Sequence, residues 1–219
     1  MADHPDIEEG VLDLWPTKFM RRRPDGSESW NKELVKLVRE LERANKNLTT
    51  DYLAPDLFNM DHPAVNWLRD QVNVTVNEYL THLGIDYAVN WQITGWPSVN
   101  RFGDYHDAHN HPWSYLSGTY YVKMPTTRET LQNRTDVRPS CITFYDPRSG
   151  VNMMGIKNDP YVDPEYTVLP EAGLMLLWPA FVNHFVHPNL SKETRISISF
   201  NIVLKWSEEY LPDQGPAQG

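Results

Sequence analysis

The densest group of side chains that could bind a metal lies in the segment GDYHDAHNHPW, residues 103–113. His106, His109 and His111 fall in this segment, and the whole chain has 8 histidines. His109 and His111 are two residues apart, so on a β-strand both imidazoles would face the same side. Two converging imidazoles are a common arrangement of transition-metal ligands. A surface cluster of histidines would produce the same short pattern, so this segment alone leaves both interpretations open.

Two later segments place polar groups in apolar surroundings. The segment LLWPAFVNHFVHP supplies His184 and His187 after a stretch typical of a buried strand. In TRISISFN, Arg195 and Ser197 alternate onto one face of an otherwise apolar strand. A buried guanidinium without a partner is very costly, and a carboxylate ligand could satisfy it through two parallel hydrogen bonds. An internal salt bridge, or a position at a water-exposed rim, would satisfy Arg195 as well.

Two amphipathic helices are expected to precede these segments. Apolar residues recur at helical spacing over 29–46, where Ser29 is the expected N-cap. The pattern repeats over 63–83, with Pro63 in the first turn and Gly84 ending the helix. A short edge strand interrupted by a proline is expected over 11–20.

From residue 85 onward the pattern changes to short apolar runs separated by Gly, Pro, Asn and Asp. Many short strands after a helical start predict a mainly β sandwich or barrel with helices packed outside. The loop 146–165 is too long for a simple hairpin and is expected to form a lid or a wall of the substrate site. The expected strands are 87–94, 115–123, 140–145, 166–169, 173–178, 182–187 and 194–204.

The bulk composition is that of a globular protein. With 219 residues and no repeat or charged linker, we expect a single domain, with a helical part at 1–84 and a β core at 85–205. The net charge of −9 argues against a nucleic-acid partner. No run of eighteen apolar residues suggests a membrane span. The absence of a recognisable signal peptide, together with the one cysteine, Cys141, favours the cytoplasm. Composition does not predict an oligomeric state.

The order of these motifs resembles that of Fe(II)- and 2-oxoglutarate-dependent oxygenases. In that superfamily an HxD/E motif is followed by a distal histidine, and then by an arginine that binds the end carboxylate of 2-oxoglutarate. The chain is more closely similar to an oxygenase family found in bacteria and marine phages, over roughly residues 60–205. The landmarks of that family are Gly-x-Tyr-x-x-x-His-x-His, Ser-Gly-x-Tyr-Tyr-Val, a later Phe-Tyr-Asp-Pro-Arg, Trp-Pro and Arg-Ile-Ser-Ile-Ser-Phe-Asn. Here they are Gly103, Tyr105, His109, His111, Ser117, Gly118, Tyr120, Tyr121, Val122, 144–148, Trp178, Pro179, His184 and 195–201.

The resemblance implies a double-stranded β-helix (a jelly-roll, cupin-like core) and a bound Fe(II). It implies that His109, His111 and His184 are the metal ligands. The implied reaction converts 2-oxoglutarate to succinate and CO2 while a C–H bond of a small molecule or peptide side chain is hydroxylated. The residues implied for the distal carboxylate of 2-oxoglutarate are Arg195, Ser197 and Tyr121; His106 and His187 are weaker candidates for any role in the site.

One feature departs from the superfamily pattern, because His111 occupies the position of the usual carboxylate ligand. Asp104 or Asp107 is an alternative source of that carboxylate. A halogenase-like site, in which a missing carboxylate leaves room for chloride, is a weaker alternative because His111 fills the position. Two other classes also remain open: a cupin-like three-histidine dioxygenase without 2-oxoglutarate, and a non-enzymatic β-sandwich that binds a metal or ligand. The Arg195-x-Ser197 pair argues for 2-oxoglutarate, since an enzyme without this cosubstrate does not need it.

Overall fold

The structure is a computed structural model that describes residues 16–51, 56–127, 131–148, 156–157, 159 and 162–210. Two long helices, α1 (Ser27–Ala44) and α2 (Pro63–His82), precede most of the strands. None of the helices in these ranges is long and apolar enough to cross a bilayer. The strands are β1 (Met20–Arg22), β2 (Trp91–Asn100), β3 (His106–His109), β4 (Leu116–Lys123), β5 (Ile142–Tyr145), β6 (Glu165–Val168), β7 (Met175–Pro179), β8 (His184–Val186) and β9 (Arg195–Leu204).

The strands form two antiparallel sheets. The major sheet has five strands in the order β1-β7-β4-β9-β2, and the minor sheet has four in the order β3-β8-β5-β6. Consecutive strands often belong to different sheets, so the chain crosses repeatedly from one sheet to the other, as in a jelly roll. These crossings bring distant parts of the sequence together at the two ends of the space between the sheets.

The two faces of the major sheet pack against different partners. Its outer face, with Tyr120, Ile198 and Phe200, joins the apolar sides of α1 and α2 in one hydrophobic core. Its inner face contributes Leu176 and Trp178 to a smaller core shared with the minor sheet. Strand β9 follows this division by simple alternation, because successive side chains of a strand point to opposite faces.

The helix bounds agree with the expected ones to within two residues, but one predicted cap is wrong. The N-cap of α1 is Gly26, at φ 74°, and not Ser29, which lies inside the helix and donates its hydroxyl hydrogen to Gly26 O. Glycine takes this left-handed conformation without steric cost. Pro63 does begin α2, and Gly84, at φ 79°, follows its end.

The predicted strand 87–94 is wrong in its position. Strand β2 begins at Trp91 and continues to Asn100, through Gly95 and Pro97. Proline lacks the amide hydrogen that an interior strand needs, but β2 is the edge of the major sheet and pairs with β9 alone. At Gly95 a Cβ atom would lie 2.6 Å from both Phe58 and Ser199 O, so close packing requires glycine there.

The edge strand expected in the N-terminal part is present but begins later than predicted, and β1 pairs with β7 at the edge of the major sheet. This three-residue strand replaces the predicted strand 11–20, of which residues 11–15 lie outside the described residues. The predicted loop 146–165 lies largely outside them too, so its expected role as a lid or wall stays a prediction.

Candidate active site

Three histidines meet at one end of the space between the sheets. The rings of His109 and His184 have centroids 4.3 Å apart, and His111 lies 5.2 Å from each. One ring nitrogen from each histidine lies within 4.8 Å of the other two. Ligands at about 2.1 Å from one ion lie roughly 3 to 4 Å apart, so small ring rotations would complete a three-nitrogen site.

Each histidine reaches this point from a different local structure. His109 ends β3 and is paired across the minor sheet with His184, which begins β8. His111 does not continue β3, contrary to the expectation that both histidines of the pair lie on one strand. It lies just beyond the strand, where its backbone N–H donates to Ala180 O at 3.0 Å. This hydrogen bond connects the segment after β3 to the segment after β7, and it positions the ring of His111.

Backbone carbonyls orient two of the three rings. Nδ1 of His109 donates to Asp107 O, and Nδ1 of His184 donates to Val182 O at 3.1 Å. Because a carbonyl only accepts, each Nδ1 carries the proton and each Nε2 keeps its lone pair for a metal. His111 is positioned differently, since its ring lies against Trp96 with centroids 6.0 Å apart.

The electrostatic environment keeps two of these rings neutral. Burial, together with the nearby His109 and His111, lowers the pKa of His184 to about 3. Burial, together with His109, lowers the pKa of His111 to about 4. A metal competes with protons for histidine nitrogens, so neutral rings at ordinary pH are ready to bind one.

The two aspartates considered as alternative ligands lie outside this group. Asp104 accepts a hydrogen bond from the N–H of Arg101 at 2.7 Å, and Asp107 accepts one from the N–H of Ala108 at 2.8 Å. The group of potential ligands found in the described chain contains neither of them. The geometry therefore favours a neutral set of three histidines.

Below the histidines, three strands of the major sheet present a polar inner face. Asn100, Ser98 and Trp96 of β2 pair with Arg195, Ser197 and Ser199 of β9, respectively. On the other side of β9, Ser197 pairs with Tyr121 and Ser199 with Thr119. Ser98, Ser197 and Tyr121 thus form one row across three strands, next to Arg195.

Arg195 is buried at the closed end of the cavity, with 1% of its surface exposed. Within the described residues its one hydrogen bond is from Nη1 to His187 O at 3.3 Å, and its buried Nε has no partner. Burial lowers the pKa of this guanidinium, partly offset by Tyr121 and Asp104. The internal salt bridge that could have explained this arginine is absent from the described chain, so the need for an anion remains.

Sequence reasoning missed Ser98. Its side chain is 2% exposed and lines the cavity, and within the described part of the chain its Oγ has no hydrogen-bond partner. The signal in the sequence is a polar residue two positions before Asn100, but the predicted strand 87–94 ends before it.

The two weaker candidates, His106 and His187, lie in different surroundings. His106 lines the cavity, and Asn100 Nδ2 donates to its Nε2 at 3.2 Å. A register shift between His106 and His109 lets these residues, three positions apart, both face inward. His187 is buried on the opposite side of the minor sheet and bonds to Thr143.

The tryptophans near the motifs differ in the same way. Trp96 lines the cavity, whereas Trp178 is fully buried with its ring centroid 5.0 Å from that of His184. Trp113 is 81% exposed at the turn after His111 and has a positive φ of 66°. A bulky residue in this conformation is unusual and costs backbone energy.

A cavity joins the two ends. Both sheets contribute to its walls. It is lined by Trp96, Ser98, His106, His109, His111, Thr119, Tyr121, Ile142, His184, Val186, Arg195, Ser197 and Ser199.

Residues 94–201 match the profile of a protein family described as "Putative 2OG-Fe(II) oxygenase". The matched stretch contains every histidine, hydroxyl and arginine of the cavity described above. No curated protein is similar enough in sequence to count as a match.

Solved structures with the same fold include a prolyl-4-hydroxylase from Pseudomonas putida, with 12% identity, a TM-score of 0.58, and 87% of this chain and 89% of that one covered. The α-ketoglutarate-dependent epimerase SnoN from nogalamycin biosynthesis has 14% identity and a TM-score of 0.57, covering 93% of this chain and 84% of that one. HygX from Streptomyces hygroscopicus, solved with iron bound, has 14% identity and a TM-score of 0.52, covering 85% and 82%. At such identities the likeness concerns the fold, and it confirms the predicted jelly-roll core.

Proposed function

The chain belongs to the 2OG-Fe(II) oxygenase family, an enzyme family that uses Fe(II) and 2-oxoglutarate, and from that premise we propose that it hydroxylates a C–H bond of a small molecule or peptide side chain. Succinate and CO2 are the other products. The observation that carries the proposal is the pairing of two ends of one cavity. Three histidines meet at one end, and a buried arginine with no anionic partner among the described residues closes the other.

The donor set fits the metal. His109, His111 and His184 supply three imidazole nitrogens, and three positions would remain for cosubstrate and dioxygen. When bound, iron and 2-oxoglutarate together supply the oxidising chemistry, while the protein supplies binding, orientation and exclusion of water. A set of three neutral ligands leaves the site one positive charge higher than a set with a carboxylate, which favours an anionic cosubstrate.

The residues at the closed end fit a carboxylate. Arg195 offers a planar fork of N–H donors, which matches two carboxylate oxygens. Two oxygens have about four lone-pair directions, so the fork leaves room for further donors. Ser197 and Tyr121 are the residues expected to fill them, and we add Ser98, whose hydroxyl has no hydrogen-bond partner among the described residues. Burial raises the pKa of Tyr121, so its hydroxyl keeps the hydrogen that it would donate.

The rest of the cavity wall indicates the kind of group that reacts. Apart from Arg195 and the histidines, the lining side chains carry no formal charge. Once the arginine binds the cosubstrate, the described wall has no further permanent charge to hold a charged group near the metal. We therefore expect an uncharged reacting carbon, held beside Trp96 and Thr119.

The direct test is release of succinate from 2-oxoglutarate by the iron-loaded protein with ascorbate, across a panel of candidate substrates. Substrate-stimulated succinate release, with one added oxygen atom in the substrate by mass spectrometry, is the expected result. Because the cavity wall has no charged side chain apart from the arginine and the histidines, the panel should be enriched in uncharged rings and uncharged amino-acid side chains. Oxidation of a substrate without succinate release would contradict the proposal.

A three-histidine dioxygenase without 2-oxoglutarate is the second candidate function. The neutral ligand set favours it, because such enzymes lack the carboxylate ligand. The buried Arg195 beside three hydroxyls argues against it, since no other function is evident for an unpaired cation at that depth. Binding of 2-oxoglutarate to the metal-loaded protein separates the two candidates.

A further inference from the structure

His187 lies behind the arginine, on the side of the minor sheet that faces away from the cavity. Its side chain is 5% exposed, although it lies at the end of a short strand and is followed by proline. Its backbone carbonyl is the acceptor for Arg195 Nη1 at 3.3 Å. The position of that carbonyl therefore bears directly on the direction of the guanidinium.

Three backbone groups fasten this segment to the turn before β5. His187 N–H donates to Cys141 O at 3.0 Å, and Ser140 N–H donates to Pro188 O at 3.0 Å. The N–H of Arg138 donates to Nδ1 of the His187 ring at 3.1 Å. Ser140 has a positive φ of 63°, so the turn is held in an unfavourable conformation by these contacts.

The other ring nitrogen continues the network into the sheet. Nε2 of His187 lies 2.8 Å from Thr143 Oγ1, which lies 2.8 Å from Thr167 Oγ1. The guanidinium of Arg138 donates to Thr167 and also pairs with Glu165 at 3.1 Å. One imidazole therefore links the turn, β5 and β6 to the carbonyl that contacts Arg195.

These contacts specify one protonation state. An amide N–H can only donate, so Nδ1 of His187 must be without a proton, and Nε2 must carry the hydrogen donated to Thr143. A second proton would point Nδ1–H at the N–H of Arg138. It would also add a positive charge near two arginines.

We propose that His187 is a positioning residue for the cosubstrate arginine: its neutral imidazole holds the carbonyl that directs Arg195, and protonation releases that hold and weakens 2-oxoglutarate binding. This inference rests on the proposed function of the cavity. It does not involve the metal ligands, because His187 contacts the outer side of the minor sheet.

The surrounding charges are consistent with a neutral ring near pH 7. Burial lowers the pKa of His187, and the positive charges of Arg138 and Arg195 lower it further. Glu165 and Asp136 act in the opposite direction. The ring is thus neutral in ordinary buffers and gains its proton only on the acid side.

The experiment measures 2-oxoglutarate affinity by calorimetry in the anaerobic, iron-loaded full chain between pH 7.5 and 5.5. His187→Leu removes the ring acceptor for the Arg138 N–H and the ring donor to Thr143. It should weaken 2-oxoglutarate binding roughly tenfold at pH 7.5, because a misdirected guanidinium loses a charged hydrogen bond to the carboxylate. His187→Gln offers an oxygen acceptor and an N–H donor but does not titrate. It should bind within about threefold of the wild type at pH 7.5 and lose part of the decline toward acid pH.

His82→Gln, at the exposed end of α2, is the matched control and should follow the wild type at every pH. Thr143→Val breaks the same network but leaves the histidine itself in place. It replaces His187→Leu as the test variant if His187→Leu does not fold. Wild-type affinity in both His187→Leu and Thr143→Val, or an unchanged pH profile in His187→Gln, would overturn the inference. Failure of the wild type itself to bind 2-oxoglutarate would overturn the proposed function and this inference with it.

Discussion

The two ends of the cavity are built in different ways. At the metal end, His109, His111 and His184 come from a strand end, a turn and a strand start, and they meet where the chain crosses between sheets. At the arginine end, Arg195 and Ser197 lie within one strand, which pairs with β2 through a regular ladder. The metal end depends on loop placement, whereas the arginine end depends on strand register.

This difference has an energetic counterpart. At the metal end, burial lowers the pKa of His184 and of His111, so both rings stay neutral near pH 7. At the arginine end, a cation is buried with no counter-ion among the described residues. Each end therefore lacks the charge that its ligand would bring. A ligand that binds the folded chain alone stabilises it by mass action, so metal and 2-oxoglutarate should each raise the unfolding temperature.

The largest effect is expected from breaking the metal end. His184→Ala removes one of the three proposed ligand nitrogens, and iron affinity should fall by at least on the order of 100-fold, since losing even an outer-shell partner costs 10- to 100-fold. Anaerobic iron titration of the purified variant measures this. His82→Ala is the control, and full iron occupancy in His184→Ala would exclude that histidine as a ligand.

Breaking the arginine end should leave the metal end intact. Arg195→Ala should cost about 2–4 kcal/mol of 2-oxoglutarate binding, because it leaves a desolvated carboxylate without its partner. Arg195→Lys keeps the charge but loses the fork, so its 2-oxoglutarate affinity should lie between those of the wild type and Arg195→Ala. Calorimetry with metal-loaded protein gives the cosubstrate affinity, and metal titration should give the wild-type value. Unchanged 2-oxoglutarate affinity in Arg195→Ala would mean that the carboxylate binds elsewhere.

Acid should destabilise the metal-free protein through the buried histidines. Burial lowers the pKa of His106 and His111 to about 4 and that of His184 to about 3. In the unfolded chain these groups titrate near pH ~6.5, so the unfolded state binds more protons below that value. Stability is complete above pH ~6.5 and should fall as the pH decreases toward 4. Urea unfolding at several pH values checks this, and a flat profile would contradict it.

A smaller effect sharpens the description of the arginine end. Ser98→Ala should weaken 2-oxoglutarate binding by about 1 kcal/mol, the typical value of one hydrogen bond, without changing iron affinity. Ser29→Ala, on the exposed part of α1, is a serine control far from the cavity. Equal 2-oxoglutarate affinities for Ser98→Ala and the wild type would remove Ser98 from the row of donors.

The smallest effect is expected at Asp107. Its side chain bonds to its neighbour and lies outside the histidine group, so Asp107→Ala should keep wild-type iron affinity while His111→Ala loses it. The same metal titration applies to both variants. The opposite result, or an aspartate oxygen at about 2.0–2.2 Å from the metal in a crystal structure, would show that a carboxylate is the third ligand.

Local sequence pattern was enough for the helices and for most strands. The apolar spacing of α2, its first-turn proline and the glycine after it predicted its bounds closely. The alternation of β9 placed Arg195 and Ser197 on the inner face and Ile196 and Ile198 on the other. These features depend on residues a few positions apart, which is why periodicity reveals them.

The predictions of strand and cap positions failed where tertiary contacts outweighed the local sequence pattern. The predicted strand 87–94 ends before Pro97, but β2 continues through this proline because at a sheet edge its missing N–H has no cost. Ser29 was the better N-cap by residue type, yet the chain enters α1 through the left-handed turn at Gly26. Local pattern could not single out Ser98, since its place in the cavity depends on its pairing with Ser197 across the strands.

The sequence by itself determined which chemical groups are available and in what order: the histidines, then an arginine and serine on one face of a strand. Only the tertiary structure decided how they meet. It places His111 beside the other rings from a turn, through a backbone bond to Ala180. It also leaves Arg195 without a carboxylate neighbour in the described chain. Contacts between residues far apart in the sequence depend on sheet crossings and register, which no local pattern contains.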